Sequence, residues 1–152
     1  MLARRGYAVT GLDLEPLALK RAAGHLRKAG LRATLVVGDA LDLRFDSGSF
    51  GLVLDYGCFH HVLRKDWPRY RREIARVLKP GGHLMLSVFS TKFRHHPGER
   101  RTRNWIVHRN HYDHFFTPSE IRRAFAPAFS SRALLEELEG LNGFYHVLLR
   151  KD

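Results

Sequence analysis

Three aspartates stand where short apolar runs end. Asp13 closes Tyr7-Ala-Val-Thr-Gly-Leu, Asp39 follows Ala33-Thr-Leu-Val-Val-Gly38, and Asp55 follows Phe50-Gly-Leu-Val-Leu54. In an open α/β sheet, ligands bind in the crevice at the carboxyl ends of the strands. A carboxylate there can take the two hydroxyls of a ribose through charge-assisted hydrogen bonds, each worth about 1.5–3 kcal/mol. A second acid beside a backbone amide can hold the edge of a purine. Asp also favours strand ends and caps for purely local reasons. The weight therefore rests on three acids reaching one edge from separate stretches of chain.

The elements that must deliver them alternate in type. Residues 7–13 and 33–37 read as buried strands, as does Phe50–Leu54. Between the first two, Pro16 suits a first helical turn, Leu19, Ala22, Ala23 and Leu26 make an apolar stripe, and Gly30 is a stop. Asp66 is placed to cap a helix with the stripe Tyr70, Ile74, Val77 and Leu78, which Lys79-Pro80-Gly81-Gly82 ends. His83–Phe89 is a fourth strand. Residues 90–114 are polar, basic and rich in histidine, with Trp105-Ile106-Val107 as their apolar anchor, and predict a long loop. Thr117-Pro118-Ser119-Glu120 is a capping box opening a helix that turns Ile121 and Phe125 inward. Residues 132–139 and 144–150 form two closing strands, with Gly140-Leu141-Asn142-Gly143 as the hairpin signal. The pattern predicts an α/β fold: a Rossmann-like, mainly parallel sheet with a C-terminal antiparallel hairpin.

The phrases around the acids carry a resemblance. Ala8-Val-Thr-Gly-Leu-Asp13-Leu-Glu-Pro16, Val37-Gly-Asp39-Ala40, Phe50 through Asp55-Tyr-Gly-Cys-Phe-His-His61, and Leu78-Lys-Pro-Gly-Gly-His-Leu84 occur in this order. Together they resemble the class I S-adenosylmethionine-dependent methyltransferases. The resemblance implies a sheet in the order 3-2-1-4-5-7-6 and S-adenosyl-L-methionine as cofactor. It gives Asp13 the ribose hydroxyls, Leu14 the adenine face, Asp39 the adenine amino group and the Ala40 amide a ring nitrogen. Asp55, Tyr56 and Gly57 would run beside the methionine moiety, with His60 and His61 toward the acceptor. The activity implied is methyl transfer to a small-molecule acceptor, by attack of the acceptor on the sulfonium methyl group. His60, His61 or a histidine of residues 95–114 could act as general base, and no catalytic residue is chosen among them. The loop 90–114 is a candidate substrate lid.

One part of the family pattern is absent. No glycine-rich phrase precedes Asp13, and Met1-Leu-Ala-Arg-Arg-Gly6 reads as the last turn of a helix stopped by Gly6. The expectation is a single methyltransferase-like domain over residues 1–152, N-terminally incomplete, with the first central strand and its glycine loop missing. Val9–Leu12 and Leu52–Leu54 then pair directly or leave open edges, which invite association. The chain is expected to be poorly soluble or a homodimer through those edges, and to bind the cofactor weakly. A catalytically inactive methyltransferase-like fragment is the corresponding alternative.

Composition narrows the remaining classes. The 152 residues carry one cysteine, Cys58, which excludes a disulfide framework and a Cys-based zinc finger. No apolar run nears the roughly 18 residues that span a bilayer, and no apolar signal core opens the chain, so a cytoplasmic protein without a membrane partner is expected. Of the net charge of +11, residues 60–112 hold thirteen Lys and Arg against three acids. The segment 64–109 interleaves these cations with Tyr70, Phe93 and Trp105, which makes a basic nucleic-acid-binding module the second alternative. No recognised nucleic-acid motif accompanies it. His108, His111 and His114 recur every third residue beside His95-His96, but without the partners of a firm metal site, and no metal ligand is assigned. Cys58 near His60 and His61 offers a thiol and a base without a third orienting group.

Overall fold

In the computed structural model the elements run β1 (Thr10–Asp13), α1 (Pro16–Lys28), β2 (Thr34–Val37), β3 (Phe50–Tyr56), α2 (Trp67–Val77), β4 (Leu78–Phe89), β5 (Trp105–His108), β6 (His111–His114), α3 (Pro118–Phe125), β7 (Phe129–Glu137) and β8 (Phe144–Lys151). The structure describes residues 2–93, 100–108, 111–137 and 143–152, the side chain of His108 apart. The chain divides into two compact units, Met1–Arg44 and Phe45–Asp152.

In the first unit β1 and β2 are parallel, with Thr10 opposite Thr34 and Asp13 opposite Val37. The crossover between them is α1, which packs on both strands. Pro16 opens that helix, and the Glu15 carboxylate caps it by accepting from the Leu17 amide at 3.1 Å. Gly6 adopts φ 81° after the short 3-10 turn Ala3–Arg5, the stop its position predicts.

The second unit holds a four-stranded sheet in the order β3-β4-β8-β7. The β3–β4 pair is parallel and the other two pairs are antiparallel. This matches 4-5-7-6 of the expected order, while β2 beside β1 matches 3-2. Among the described residues β1 and β3 each have a single partner strand within their own sheets.

One face of the four-stranded sheet is the core. Leu84, Leu86 and Val88 alternate inward on β4, and Tyr145, Val147 and Leu149 on β8. α2 packs on β4 and on α3, and α3 on β7, with Tyr70, Ile74 and Val77 of α2 and Ile121 and Phe125 of α3 buried. The capping box is present in full, with Thr117 accepting from the Glu120 amide and Glu120 from the Thr117 amide. Phe59 is the hub of the aromatic cluster, within 4.7–5.5 Å (centroid to centroid) of Trp67, Tyr70, Phe116 and Phe125. On the other face Leu52, Leu54, Tyr56 and Met85 are exposed.

Three expectations need correction. Residues 90–114 are not a plain loop: Trp105–His108 and His111–His114 form an antiparallel hairpin. The adjacent polar residues Asp113 and His114 hide the strand, because their burial comes from tertiary packing. Asp66 occupies the N-cap position of α2 but makes no side-chain cap. Its backbone (φ −97°, ψ −5°) already belongs to the 3-10 turn Arg64–Asp66, whereas a capping side chain needs an extended backbone. Lys79-Pro80-Gly81-Gly82 lies inside β4, looped out between the pairs Phe50–Leu78 and Leu52–His83. A Cβ on Gly82 would stand 2.9 Å from the Lys79 carbonyl oxygen, so only glycine fits that fold-back. The closing strands match, with β7 beginning three residues early; the last two residues of the expected strand 132–139 and residues 140–142 of the hairpin signal lie outside the described set.

Candidate functional site

Parallel pairing of β1 with β2 fixes where the first two acids emerge. Asp13 is the last residue of β1, and Asp39 lies two residues beyond Val37, its register partner's end of β2. Both therefore leave the same edge of the first unit. The Asp13 side chain accepts from the Glu15 amide at 2.9 Å, which holds it at the strand tip. Asp13 and Leu14 are exposed there, Leu14 at 67%. Asp39 bends its own loop: Oδ1 accepts from the Leu41 amide at 2.8 Å, and its carbonyl accepts from the Asp42 amide at 3.0 Å. That turn carries Ala40 around the tip of β2. Gly38 precedes it because an added Cβ would stand 3.0 Å from Leu12 Cδ1.

Asp55, Tyr56 and Gly57 lie at the tip of β3 in the second unit. Asp55 pairs with Leu86 in the ladder, so its side chain shares the buried face. Its carboxylate accepts from the Cys58 amide (2.8 Å), the Phe59 amide (3.1 Å) and the Tyr70 hydroxyl (2.5 Å). Burial raises its pKa above the usual carboxylate value, and the hydrogen bonds from Tyr70, Cys58, Phe59 and Gly57 oppose the rise. Burial and the neighbouring Asp55 push the Tyr70 hydroxyl well above its usual range, so it stays a donor. Asp55 thus clamps the bend that follows β3, where Gly57 turns at φ 94°, and its side chain faces the core. Tyr56 points to the opposite face and is 82% exposed.

The bend presents the two histidines differently. His60 is buried, stacked on Phe89 at 3.8 Å, and burial followed by the adjacent His61 lowers its pKa to about 3. His61 has its side chain half exposed, and its Nδ1 lies 3.1 Å from the Tyr112 carbonyl and 2.8 Å from Asp113 Oδ1. The Asp113 approach lacks hydrogen-bond alignment; the aligned acceptor is the carbonyl. The carbonyl acceptor at Nδ1 puts the proton there, so in neutral His61 Nε2 accepts from His60 Nε2 at 3.1 Å. Of the pair, His61 alone reaches solvent. Among the described residues no group of three or more His, Cys, Asp or Glu could hold a metal ion. His95, His96 and the side chain of His108 lie outside that set.

Residues 1–86 match the model of a family described as methyltransferase domain. The chain belongs to that family. This methyltransferase domain is 41% identical over 78 residues to the phthiotriol/phenolphthiotriol dimycocerosates methyltransferase of Mycobacterium leprae, covering 49% of this chain and 26% of that protein. The chain spans between a quarter and a third of the length of the first curated relatives it matches. A solved SAM-dependent methyltransferase of Methanosarcina mazei superposes over 99% of this chain and 84% of its own, with TM-score 0.81 at 24% identity. The Burkholderia thailandensis 1,6-didemethyltoxoflavin-N1-methyltransferase, solved with 1,6-didemethyltoxoflavin and S-adenosylhomocysteine bound, covers 97% of this chain and 63% of its own. Its TM-score is 0.78 at 24% identity. These likenesses establish the α/β Rossmann-like fold of the methyltransferase domain. No helix among the described residues is long and apolar enough to cross a membrane.

Sequence reading missed the partners that set the chemistry of this domain. Tyr70 reads as one more stripe residue, although a buried hydroxyl demands an acceptor and Asp55 was within reach. Asp113 and the Tyr112 carbonyl, which anchor His61, sit in the hairpin that the polar composition disguises.

Proposed function

We propose that the methyltransferase domain binds S-adenosylmethionine at the β1–β2 edge and serves methyl transfer to a small-molecule acceptor. The observation that carries this reading is the pair Asp13 and Asp39, brought to one edge by parallel register. The residues suit a nucleoside. An exposed carboxylate at the tip of β1 is placed for the ribose hydroxyls, Leu14 beside it offers an apolar face to a purine, and the turn at Asp39-Ala40 offers an acceptor and an amide. When bound, the cofactor supplies an electrophilic methyl group on a sulfonium. The chain's own part is to hold and orient the nucleoside at the β1–β2 edge.

Calorimetric titration with S-adenosylhomocysteine tests this. Asp13→Ala should weaken binding about 10–100-fold, the loss of one to two charge-assisted hydrogen bonds. Asp42→Ala, in the same loop and paired with exposed Arg44 at 3.7 Å, should leave it unchanged. Equal affinity for Asp13→Ala and the parent would refute the assignment.

Self-association belongs to the same reading. β1 and β3 each have one unpaired edge among the described residues, and Leu52, Leu54 and Met85 are exposed at 41–50% beside the second. Sedimentation velocity should show dimers or larger species that Leu54→Lys shifts toward monomer. A parent chain that sediments as a monomer at all concentrations contradicts it.

A further inference from the structure

The second unit holds a cavity of about 500 Å³, within the usual range for small-molecule sites. It lies between the 3-10 turn Arg64–Asp66, the hairpin β5–β6 and the start of α3. Arg64, Lys65 and Arg103 line it together with Trp105, Tyr112 and His114. We propose that this cavity binds a small aromatic anion, a single ring carrying a carboxylate or phosphate. The inference rests on the second unit alone and is independent of cofactor binding at the β1–β2 edge.

Charge is the first reason. Among the described residues none of the three cations is in an ion pair, although Arg64 also lies over the Trp67 ring at 5.8 Å. The acid lining the cavity, Glu120, has Oε2 committed to the Thr117 amide, the Thr117 hydroxyl and Asn104 Nδ2 at 3.0–3.1 Å. Its charge serves the capping box, and the cavity stays net positive. An anion is the ligand that such a field concentrates.

Backbone and rings are the second and third reasons. Among the described residues Arg103 is the non-glycine residue with positive φ, 58°, in the tight turn where Thr102 and Trp105 exchange backbone hydrogen bonds. A β-turn there would favour glycine, and the strained position instead places a cation on the cavity. Trp105 and Tyr112 stand 6.0 Å apart with planes 31° from parallel, offering half-buried aromatic surface beside those cations. Below them His114 is buried. Its Nδ1 is hydrogen-bonded to the Tyr112 hydroxyl at 3.1 Å, while Nε2 lacks an aligned partner and lies 3.5 Å from Glu120 Oε1. The chemistry selects a ring for stacking and an anionic group for the guanidinium forks.

The test titrates the 152-residue chain with 4-hydroxybenzoate and phenyl phosphate, and with 4-hydroxybenzamide and inorganic phosphate as partial mimics, following backbone amide shifts. Either aromatic anion should bind about tenfold or more tightly than the amide or the inorganic ion, moving the amides of Lys65, Arg103 and Trp105. Arg103→Gly removes the cation and relaxes the backbone, so binding should weaken about tenfold while Tm does not fall. Lys65→Glu, on an exposed turn, should weaken it similarly. Equal affinity for the amide, inorganic phosphate binding as well as the aromatic anions, or binding that survives both substitutions would overturn the proposal. So would a single-stranded oligonucleotide that displaces the small anions from the same amides at lower concentration, which would assign the cavity to nucleic acid.

Discussion

Asp55→Ala should lower the free energy of unfolding by about 3–5 kcal/mol, a large share of the roughly 5–15 kcal/mol that holds a typical domain folded. The substitution strands three donors at once. The Cys58 and Phe59 amides and the Tyr70 hydroxyl all point at this carboxylate, the last two from inside the protein, and each unsatisfied buried group costs roughly 1–3 kcal/mol. Tyr70→Phe removes one donor and keeps the ring against Phe59, so it should cost only about 1–2 kcal/mol. Urea unfolding of the two single variants and the double variant measures the coupling. Because Asp55 and Tyr70 share a hydrogen bond, the double variant should lose less than the sum of the singles. Additive losses, or an Asp55→Ala variant as stable as the parent, would show that the bend after β3 is held by something else.

Acid should destabilise the protein through His60, and His60→Phe should remove that effect. The buried imidazole stays neutral in the folded state down to about pH 3, whereas the unfolded chain takes up the proton near 6.5. Between these values the unfolded state binds more protons, so stability falls as pH falls, by about 1.4 kcal/mol per pH unit. Asp55 acts in the opposite direction. Its folded pKa is raised above 3.8, so the folded state holds the proton more tightly, and stability falls as pH rises from 3.8 through the folded pKa. In the parent the two trends oppose each other where their windows overlap. Phenylalanine suits the slot because His60 already stacks on Phe89 with planes 20° apart. Denaturant unfolding from pH 7 to pH 4 should therefore show His60→Phe losing far less stability than the parent. Asp55→Asn should steepen the acid loss, since the trend from His60 is then unopposed. A parent and a His60→Phe variant with superimposable pH curves would contradict the buried, neutral state of this ring.

What the sequence makes legible is whatever has a local signal. The capping box at Thr117, the Pro16 helix start, the Gly6 stop and the apolar stripe of α2 each follow from a few neighbouring residues, and each appears in the structure. Asp13 and Asp39 were legible because a strand end followed by an acid needs no distant partner. The hairpin β5–β6 was not, since Asp113 and His114 look solvated until His61, Trp67 and Phe116 are packed around them. Asp55 shows the limit from the other side. Its place at a strand tip suggests a ligand contact, but the register with Leu86 turns the carboxylate to the core, where Tyr70 fifteen residues later meets it. Register depends on the whole sheet, and a one-residue slip would have reversed the outcome.

The same contrast explains how the two acids of the first unit differ from the third. Asp13 and Asp39 each use a side-chain oxygen to set their own loop, a short-range bond to an amide two residues on. That arrangement keeps the carboxylate at the surface. Asp55 reaches three and four residues on and across to α2, which draws it inward. One type of residue at three strand ends therefore has two jobs: presenting charge at the β1–β2 edge and fixing the chain that leaves β3.

Mapping amide shifts during titration with S-adenosylhomocysteine bears most directly on where the nucleoside lies. The largest changes in the first unit should fall at residues 13–15 and 38–41, around the tips of β1 and β2. If those amides stay still while Lys65, Arg103 and Trp105 move, the nucleoside binds in the cavity of the second unit and the assignment to Asp13 and Asp39 is wrong.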